Sequence, residues 1–335
     1  MKRFFKILGL IVLALIIIYI LGPKPSSPLI SSKMPEAPNN LEVLIDSIRN
    51  SEAKLPLKEN NQARIVWAND SVHKKTHYSV VYLHGFTASQ MEGDPIHKEF
   101  AKRYGCNLFL SRLAFHGMKD SDAFEKITAD TLYSTAKMAL RIGTRIGDSV
   151  ILMATSAGGA QALILAAQEQ NLPIKALILY SPCIALFSPD AKILNKPWGL
   201  QLARIISHGK YLYGSHKDTA SSHYWYNTFR IEGVIALQTL LDKTMNPEYF
   251  SKIHIPILCL AYYKNQKIQD STVSVPAIRT MFSQLGTSSK DKEYHELPNV
   301  GDHVMVSYLR SKDLKSVREA TYSFAEKHLF LKPVN

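Results

Sequence analysis

Short β-rich runs alternate with longer helical patterns from Ala63 onward, and this alternation limits most strongly the folds open to the chain. Strands that alternate with helices build βαβ units, in which successive strands lie parallel. The predicted strands are 64–67, 79–83, 107–111, 149–154, 176–180, 257–261 and 292–297, and the clearest predicted helices are 130–146, 158–170, 275–285 and 314–328. Several of these strands are apolar on both faces, as buried parallel strands are. We therefore expect an α/β fold with a mostly parallel central sheet flanked by helices.

The alternation is interrupted between Ile184 and Ser251 by a stretch too long for a simple connection. We predict that this stretch forms an inserted helical cap. Its aromatic residues either line a pocket for an apolar group or pack the cap onto the sheet, and packing is favoured for any single one of them. They are Trp198, Tyr211, Tyr213, Tyr224, Trp225, Tyr226 and Phe229.

Ser156 lies between an apolar strand and a helix. The run SVILMA ends at the first residue of the motif at 154–159, Ala-Thr-Ser-Ala-Gly-Gly, and the helical run AQALILAAQ follows the motif directly. This is the strand, turn and helix context of a nucleophile elbow, G-x-S-x-G. Ala154 replaces the first glycine of that pattern, and alanine still meets the need for a small side chain. The motif predicts Ser156 as a nucleophile, and a plain helix cap is the competing interpretation.

The sequence His-Gly-Phe-Thr at 84–87 closes the predicted strand SVVYL, where an oxyanion-hole loop is expected. The backbone N–H groups of Phe86 and Ala157 are the predicted donors to the oxyanion, an interaction worth about 3 to 4 kcal/mol per donor. His84 lies at the end of the strand. That position indicates a structural hydrogen-bonding role for His84 rather than that of the base.

A serine at such an elbow is followed along the chain by an acid and then by a histidine. Asp270 follows the predicted strand 257–261 and precedes a helix, so we predict that Asp270 is the acid. Asn265 lies nearer the end of the strand and is the alternative occupant of that position. A neutral amide, however, does not stabilise an imidazolium as a carboxylate does.

His303 is the predicted base, because it follows the last predicted strand in a turn that we expect to enter a helix. His295 is its rival, but it falls within the strand pattern EYHEL. Asp302 adjoins His303, and adjacent residues seldom orient each other's side chains. We therefore assign Asp302 a helix-capping role.

Together these motifs resemble the α/β-hydrolase superfamily, and particularly its serine-aminopeptidase and monoacylglycerol-lipase-like group of lipases and esterases. The resemblance covers 63–328 and rests on four ordered matches: HGFT, AFHG at 114–117, TSAGG at the elbow and GDH near the end. The chain departs from the pattern at Ala154 and in the extended loop before Asp270.

The resemblance implies a Ser-His-Asp acyl-enzyme mechanism that needs no metal or organic cofactor. For such a hydrolase, a membrane anchor and an aromatic-rich cap suit an ester with an apolar acyl group, such as a monoacylglycerol or a simple carboxylic ester. Peptidases and thioesterases of the same fold use the same triad, so they remain alternatives. The rival from another class is a catalytically inactive member that serves as a membrane-tethered binding protein.

The N-terminal segment is strongly apolar. Residues 7–21 carry no charge, and Lys2, Arg3 and Lys6 precede them. A helix over 4–22 is about 28 Å long, close to the ~30 Å hydrocarbon core of a bilayer. We predict an uncleaved transmembrane anchor rather than a signal peptide, because no Ala-x-Ala-like site follows. Since positive flanks tend to stay cytoplasmic, the rest of the chain is predicted on the extracytoplasmic side.

The segment 23–40 is rich in proline and serine, which predicts an extended, solvated linker that spaces the hydrolase domain, 41–335, from the bilayer. A short helix that packs on the domain is predicted next. Its apolar face consists of Leu41, Leu44, Ile45 and Ile48.

Charge and cysteine content exclude some other classes. The net charge is +12, but the sequence has no zinc-finger spacing and no dense Lys/Arg run, so nucleic-acid binding is not indicated. Weak attraction to an anionic lipid surface fits the charge better. Cys106, Cys183 and Cys259 lie in or beside apolar runs with no neighbouring base in sequence, which predicts buried thiols rather than a catalytic cysteine.

Overall fold

The computed structural model describes residues 1–31, 33–214 and 218–334. The strands are β1 (Arg64–Val66), β2 (Thr76–Leu83), β3 (Asn107–Leu110), β4 (Gly147–Thr155), β5 (Ile174–Tyr180), β6 (Tyr211–Tyr213), β7 (Thr228–Arg230), β8 (Ile257–Ala261), β9 (Tyr263–Asn265), β10 (Ile268–Gln269) and β11 (Lys292–Glu296). The helices are α1 (Lys2–Ile20), α2 (Leu41–Ala53), α3 (Ile96–Arg103), α4 (Ala129–Ile146), α5 (Ala157–Gln168), α6 (Gly199–Ile206), α7 (Thr219–Tyr224), α8 (Ile231–Thr244), α9 (Pro247–Phe250), α10 (Val275–Gln284) and α11 (Leu314–His328). Short 3₁₀ helices lie at Gln90–Gly93, Pro189–Ile193 and Ser289–Asp291.

The central sheet has seven strands in the order β1-β3-β2-β4-β5-β8-β11. The strand β1 pairs antiparallel with β3, and all the other neighbours in this sheet are parallel. The seven strands predicted from the sequence are present, with ends shifted by at most three residues. The prediction of a mostly parallel sheet is therefore confirmed.

Both faces of the sheet are covered, because successive side chains of a strand point to opposite faces. In β2, Val81 and Leu83 belong to the core beneath α4, α5 and α8. Val80 and Tyr82 belong to the core on the other face, with α3 and α11. Each fully buried aliphatic side chain contributes about 1.5 to 3 kcal/mol to stability. This burial explains why the strands are apolar on both sides.

The stretch 184–251, predicted as a cap, contains α6, α7, α8 and α9 together with a two-stranded sheet of β6 and β7. The helix α8 joins the cap to the main body, because its buried side chains Ala236, Leu237, Leu240 and Leu241 belong to the same core as α4 and α5. The α8 part of the cap thus lies on the sheet face that α4 and α5 cover.

The helix α1 is 19 residues long, has a mean hydropathy of 2.4 and buries none of its side chains against the rest of the protein. It is long and apolar enough to cross a membrane. The helix α2 begins where Asn40 accepts a hydrogen bond from the Val43 N–H, and it buries Leu44. The predicted short helix is therefore present.

The segment 23–40 differs from the expected solvated spacer. Its described residues contain no helix or strand, yet they lie along α4. Lys137 donates to the carbonyl oxygens of Ser31 at 2.7 Å and Lys33 at 2.6 Å. Arg141 and Arg145, one and two turns further along α4, donate to the carbonyl oxygens of residues 35 and 37. The described part of the proline-rich segment is therefore docked on α4 by these hydrogen bonds.

Candidate active site

Ser156 occupies a sharp turn between β4 and α5. Its φ of 53° and ψ of −120° are unusual for a residue other than glycine, and such strain is stored where function needs a particular geometry. The Ser156 N–H donates to the carbonyl oxygen of Tyr180 at 3.1 Å. The Ser156 carbonyl oxygen accepts hydrogen bonds from the N–H groups of Gly159, Ala160 and Cys183. The backbone of the turn is thus held from both sides.

Gly158 is required by the close approach of α5 to β2. A Cβ atom at this position would lie 2.1 Å from the carbonyl oxygen of Leu83 and 2.7 Å from that of His84. These are backbone atoms, so they cannot move aside. Ala154, in contrast, is fully buried in β4 and its methyl group is accommodated. The second glycine of the elbow pattern is therefore necessary in this chain, whereas the first is not.

The two predicted oxyanion donors are the backbone N–H groups of Phe86 and Ala157. The N–H groups of Phe86 and Ala157 donate no hydrogen bond to any group within residues 1–31, 33–214 and 218–334. Phe86 follows the end of β2, and Ala157 is the first residue of α5. Both flank the turn that carries Ser156. Donors held free in this way suit a developing negative charge.

His84 is fully buried and has a structural role. Its Nε2 accepts a hydrogen bond from the Leu113 N–H at 3.1 Å, so its Nδ1 carries the proton and donates to the Gly85 carbonyl oxygen at 2.8 Å. Burial lowers the pKa of His84 to about 4, which keeps the ring neutral. Both ring nitrogens are occupied, and the ring secures the loop that contains Phe86.

Asp270 and His303 meet although 33 residues separate them in sequence. The Nδ1 atom of His303 lies 2.6 Å from Oδ2 of Asp270. The other carboxylate oxygen accepts hydrogen bonds from the N–H groups of Thr272 and Val273. Asp270 is 1% exposed. This arrangement orients the imidazole and directs its Nε2 atom away from the carboxylate.

The charges of the pair support each other. Burial by itself lowers the pKa of His303, but the negative charge of Asp270, the hydrogen bond to it, and the charges of Glu92 and Asp302 together raise that pKa above its usual value. Burial by itself raises the pKa of Asp270, but the charge of His303 and the hydrogen bonds to the carboxylate hold it below its usual value. The carboxylate is therefore ionised at neutral pH.

The rival residues lie elsewhere. Asn265 is exposed in β9, where its side chain accepts hydrogen bonds from the N–H groups of Lys267 and Ile268. His295 is exposed in β11 and pairs with Glu293.

The helix-capping role assigned to Asp302 is wrong, because the loop after β11 runs on to α11, which begins only at Leu314. The Asp302 carboxylate instead accepts a hydrogen bond from the Val304 N–H and pairs with Arg310. The carboxylate therefore stabilises a local turn beside His303, which is itself held in that loop rather than at a helix start.

Ser156 and His303 line one cavity of about 640 Å³. The Nε2 atom of His303 is buried and has no hydrogen-bond partner in the described part of the chain. Of the cap aromatic residues singled out above, Trp225, Tyr226 and Phe229 line the cavity. The cavity is thus closed on one side by cap residues and on the other by the ends of the sheet strands.

The three cysteines are free and buried, as predicted. Cys183 borders the cavity, but burial raises the pKa of its thiol to about 12, which disfavours the thiolate. Within the described ranges, no group of three or more His, Cys, Asp or Glu side chains is arranged to hold a metal ion.

Glu92 is a site residue that the sequence analysis missed. It lies in the 3₁₀ helix Gln90–Gly93, is 2% exposed and borders the same cavity. Its Oε2 atom accepts a hydrogen bond from the Gly85 N–H at 2.5 Å. In the sequence it lies between Met91 and Gly93 in a largely polar stretch, with no pattern that marks it as buried. A glutamate in such a loop is ordinarily a surface residue.

No family model matches the sequence, and no curated protein is significantly similar to it. Solved structures, however, are similar to this one. A metagenome-derived lipolytic enzyme from a study of LipS and LipT has a TM-score of 0.64 and 19% identity, over 81% of this chain and 100% of its own. The monoacylglycerol lipase of Paleococcus ferrophilus has a TM-score of 0.56 and 13% identity, over 79% of this chain and 98% of its own.

A soluble variant of the monoglyceride lipase of Saccharomyces cerevisiae has a TM-score of 0.54 and 16% identity, over 80% of this chain and 91% of its own. Similarity this extensive at such low identity reflects a common backbone architecture. The strand order, the strained serine turn after β4 and these alignments agree: the chain has the α/β-hydrolase fold.

Proposed function

We propose that this chain is a serine hydrolase that cleaves carboxylic esters. The observation that carries the proposal is that Ser156, in its strained turn, and His303 border the same cavity. The Nδ1 atom of His303 is hydrogen-bonded to Asp270, which leaves its Nε2 atom for the serine. A nucleophile, a base and an acid that orients the base are the parts that acyl transfer needs.

In the proposed mechanism, the Ser156 hydroxyl attacks the ester carbonyl while Nε2 of His303 takes its proton. The imidazolium then gives that proton to the departing alcohol, which leaves an acyl-enzyme. Water, activated by the same nitrogen, attacks the acyl group and regenerates Ser156. The N–H groups of Phe86 and Ala157 bind the oxyanion in both steps. Asp270 keeps the imidazole in the tautomer with a free Nε2 and stabilises its positive charge.

The proposed substrate is an ester with an apolar acyl group, such as a monoacylglycerol. Phe86, Trp225, Phe229 and Leu237 border the cavity and offer apolar contacts to an acyl chain. Two of the structurally similar proteins are monoacylglycerol or monoglyceride lipases. A peptidase or thioesterase would use the same triad, so a panel of ester, thioester and amide substrates distinguishes these activities.

We also propose that α1 anchors the enzyme in a membrane, with the catalytic domain on the extracytoplasmic side. Its length and hydropathy support a span, and Lys2, Arg3 and Lys6 favour a cytoplasmic N-terminus. A signal sequence has the same features, so the alternative is removal of this segment. Extraction of membranes with sodium carbonate should leave the full-length chain in the pellet. Release of a shortened chain would contradict the anchor.

Contacts at the end of α1 support a domain held close to the bilayer. The Trp198 indole donates to the carbonyl oxygen of Ile18 at 3.0 Å, and the Trp198 N–H donates to that of Pro23 at 2.9 Å. The next helix, α6, exposes Leu202, Ile205 and Ile206 on one face, at 43%, 70% and 77%. An apolar face beside the end of the anchor suits the interface of the same membrane, where lipid esters lie.

The decisive experiment is labelling of the full-length, detergent-solubilised protein with a fluorophosphonate. We expect labelling of the wild type and none of Ser156→Ala. The matched control is Ser181→Ala, which changes another buried serine with an unusual φ that lies outside the cavity lining. A folded wild-type protein that never labels would overturn the proposal in favour of a tethered binding protein.

A further inference from the structure

A second buried carboxyl group lies at the candidate site besides Asp270. Glu92 borders the cavity together with Ser156 and His303, and its burial is almost complete. The proposed mechanism assigns it no step. An ionised carboxylate is costly to bury unless hydrogen bonds and an opposite charge compensate it. The partners of Glu92 are therefore informative.

The first partner is the loop that contains Phe86. The Oε2 atom of Glu92 accepts the hydrogen bond from the Gly85 N–H, and the Tyr82 hydroxyl lies 3.4 Å from the same oxygen. The Gly85 carbonyl oxygen accepts hydrogen bonds from His84 and from the Ala88 N–H. The N–H and the carbonyl oxygen of Gly85 are thus both hydrogen-bonded. This fixes the direction of the next N–H group, that of Phe86.

Glu92 is also close to the nucleophile. A Cβ atom built on Gly85 would lie 2.8 Å from Oε1 of Glu92 and 3.0 Å from Cβ of Ser156. Gly85, which has no side chain, therefore lies between the Glu92 carboxyl group and Ser156. Any larger residue at position 85 would push them apart.

His303 borders the same cavity as Glu92, so the charges of the two side chains act on each other. Three carboxyl groups act on this ring: Asp270, Glu92 and Asp302. Asp270 is hydrogen-bonded to it, and Asp302 is paired with Arg310. Burial raises the pKa of Glu92 to about 7, with Asp302 adding to the rise, whereas the Gly85 N–H, the charge of His303 and the Tyr82 hydroxyl act in the opposite direction. A positive charge on His303 therefore favours the ionised form of Glu92.

We infer that Glu92 is a positioning residue of the catalytic centre, which holds the oxyanion loop through the Gly85 N–H and stabilises the His303 imidazolium by its negative charge. The inference rests on the proposed serine-hydrolase function. Glu92 would then support both the Phe86 N–H and the His303 imidazolium, which act in the same transition state. The charge is most useful at the moment when His303 holds the proton of Ser156.

The test is Glu92→Gln in the full-length protein, assayed with a short soluble ester across pH 5 to 9. We expect kcat to fall by about tenfold or more, because the neutral amide no longer stabilises the His303 imidazolium in the transition state, although its oxygen can still accept the hydrogen bond from the Gly85 N–H. The acidic limb of the kcat/KM profile should move to lower pH, because loss of a negative charge lowers the pKa of His303. A merely structural role would not move that limb. The matched control is Glu99→Gln, a glutamate paired with Arg318 that does not border the cavity.

Glu92→Asp keeps the charge but shortens the side chain, so it should lower kcat while leaving the acidic limb near its wild-type position. This variant also carries the test if the glutamine variant does not fold. An unchanged kcat and an unchanged limb in Glu92→Gln would overturn the inference. Failure of the proposed function is distinguishable, since the wild type would then not react with the fluorophosphonate at all.

Discussion

Ser156 and the proposed oxyanion donors sit on tight turns that leave β4 and β2 directly, whereas Asp270 and His303 lie in longer loops after β8 and β11. The first group is positioned by backbone contacts: main-chain hydrogen bonds to Ser156 and the close approach of Gly158 to β2. The second group is oriented by side-chain hydrogen bonds. We therefore expect substitutions in the turns around Ser156 to disturb the local fold. Substitutions of Asp270 or His303 should instead lower the catalytic rate while the fold stays intact.

The largest effect is expected from Asp270→Asn. The amide retains the shape of the carboxylate but favours the wrong tautomer of His303, so kcat should fall by about 10⁴-fold. The measurement is ester hydrolysis at pH 8, together with circular dichroism to show an intact fold. Asn265→Asp, in the exposed β9, is the control and should have wild-type activity. Retention of activity within tenfold in Asp270→Asn would place the acid elsewhere.

Gly158→Ala tests the backbone-positioned side of the comparison. The added methyl group would collide with the carbonyl oxygens of Leu83 and His84, so we expect a loss of about 3 kcal/mol or more in the free energy of unfolding, together with loss of activity. Chemical denaturation measures the first effect. Gly9→Ala in α1, where no atom lies within 4 Å of the added carbon, should not lower stability. Wild-type stability in Gly158→Ala would show that backbone packing does not hold the turn.

The smallest effect is expected from Ala154→Gly, which restores the first glycine of the elbow pattern. The alanine methyl group is accommodated in β4, and glycine in a strand loses more conformational entropy on folding, so stability should fall by about 1 kcal/mol. Activity should stay within about twofold of the wild type. A large gain in activity would mean that the methyl group distorts the nucleophile turn.

Features encoded by neighbouring residues were predictable from the sequence. The strands of the sheet, the main helices and the turn at Ser156 follow from hydrophobic periodicity and from small residues at defined spacings, which act over a few residues. The pairing of Asp270 with His303 was also expected from the order of motifs along the chain, and the structure brings the two side chains together. The long loop between His303 and α11 was not expected, because the turn after the last predicted strand was expected to lead directly into a helix.

The sequence by itself determined the α/β fold, the residues that meet at the strand ends and the apolar N-terminal helix. Only the tertiary structure decided that Glu92 is buried beside Ser156 and that the proline-rich segment is docked by Lys137, Arg141 and Arg145. The reason is physical. Hydrophobic periodicity indicates which face of a helix or strand is buried. The environment of a single polar side chain depends instead on groups that are distant in sequence and close in space.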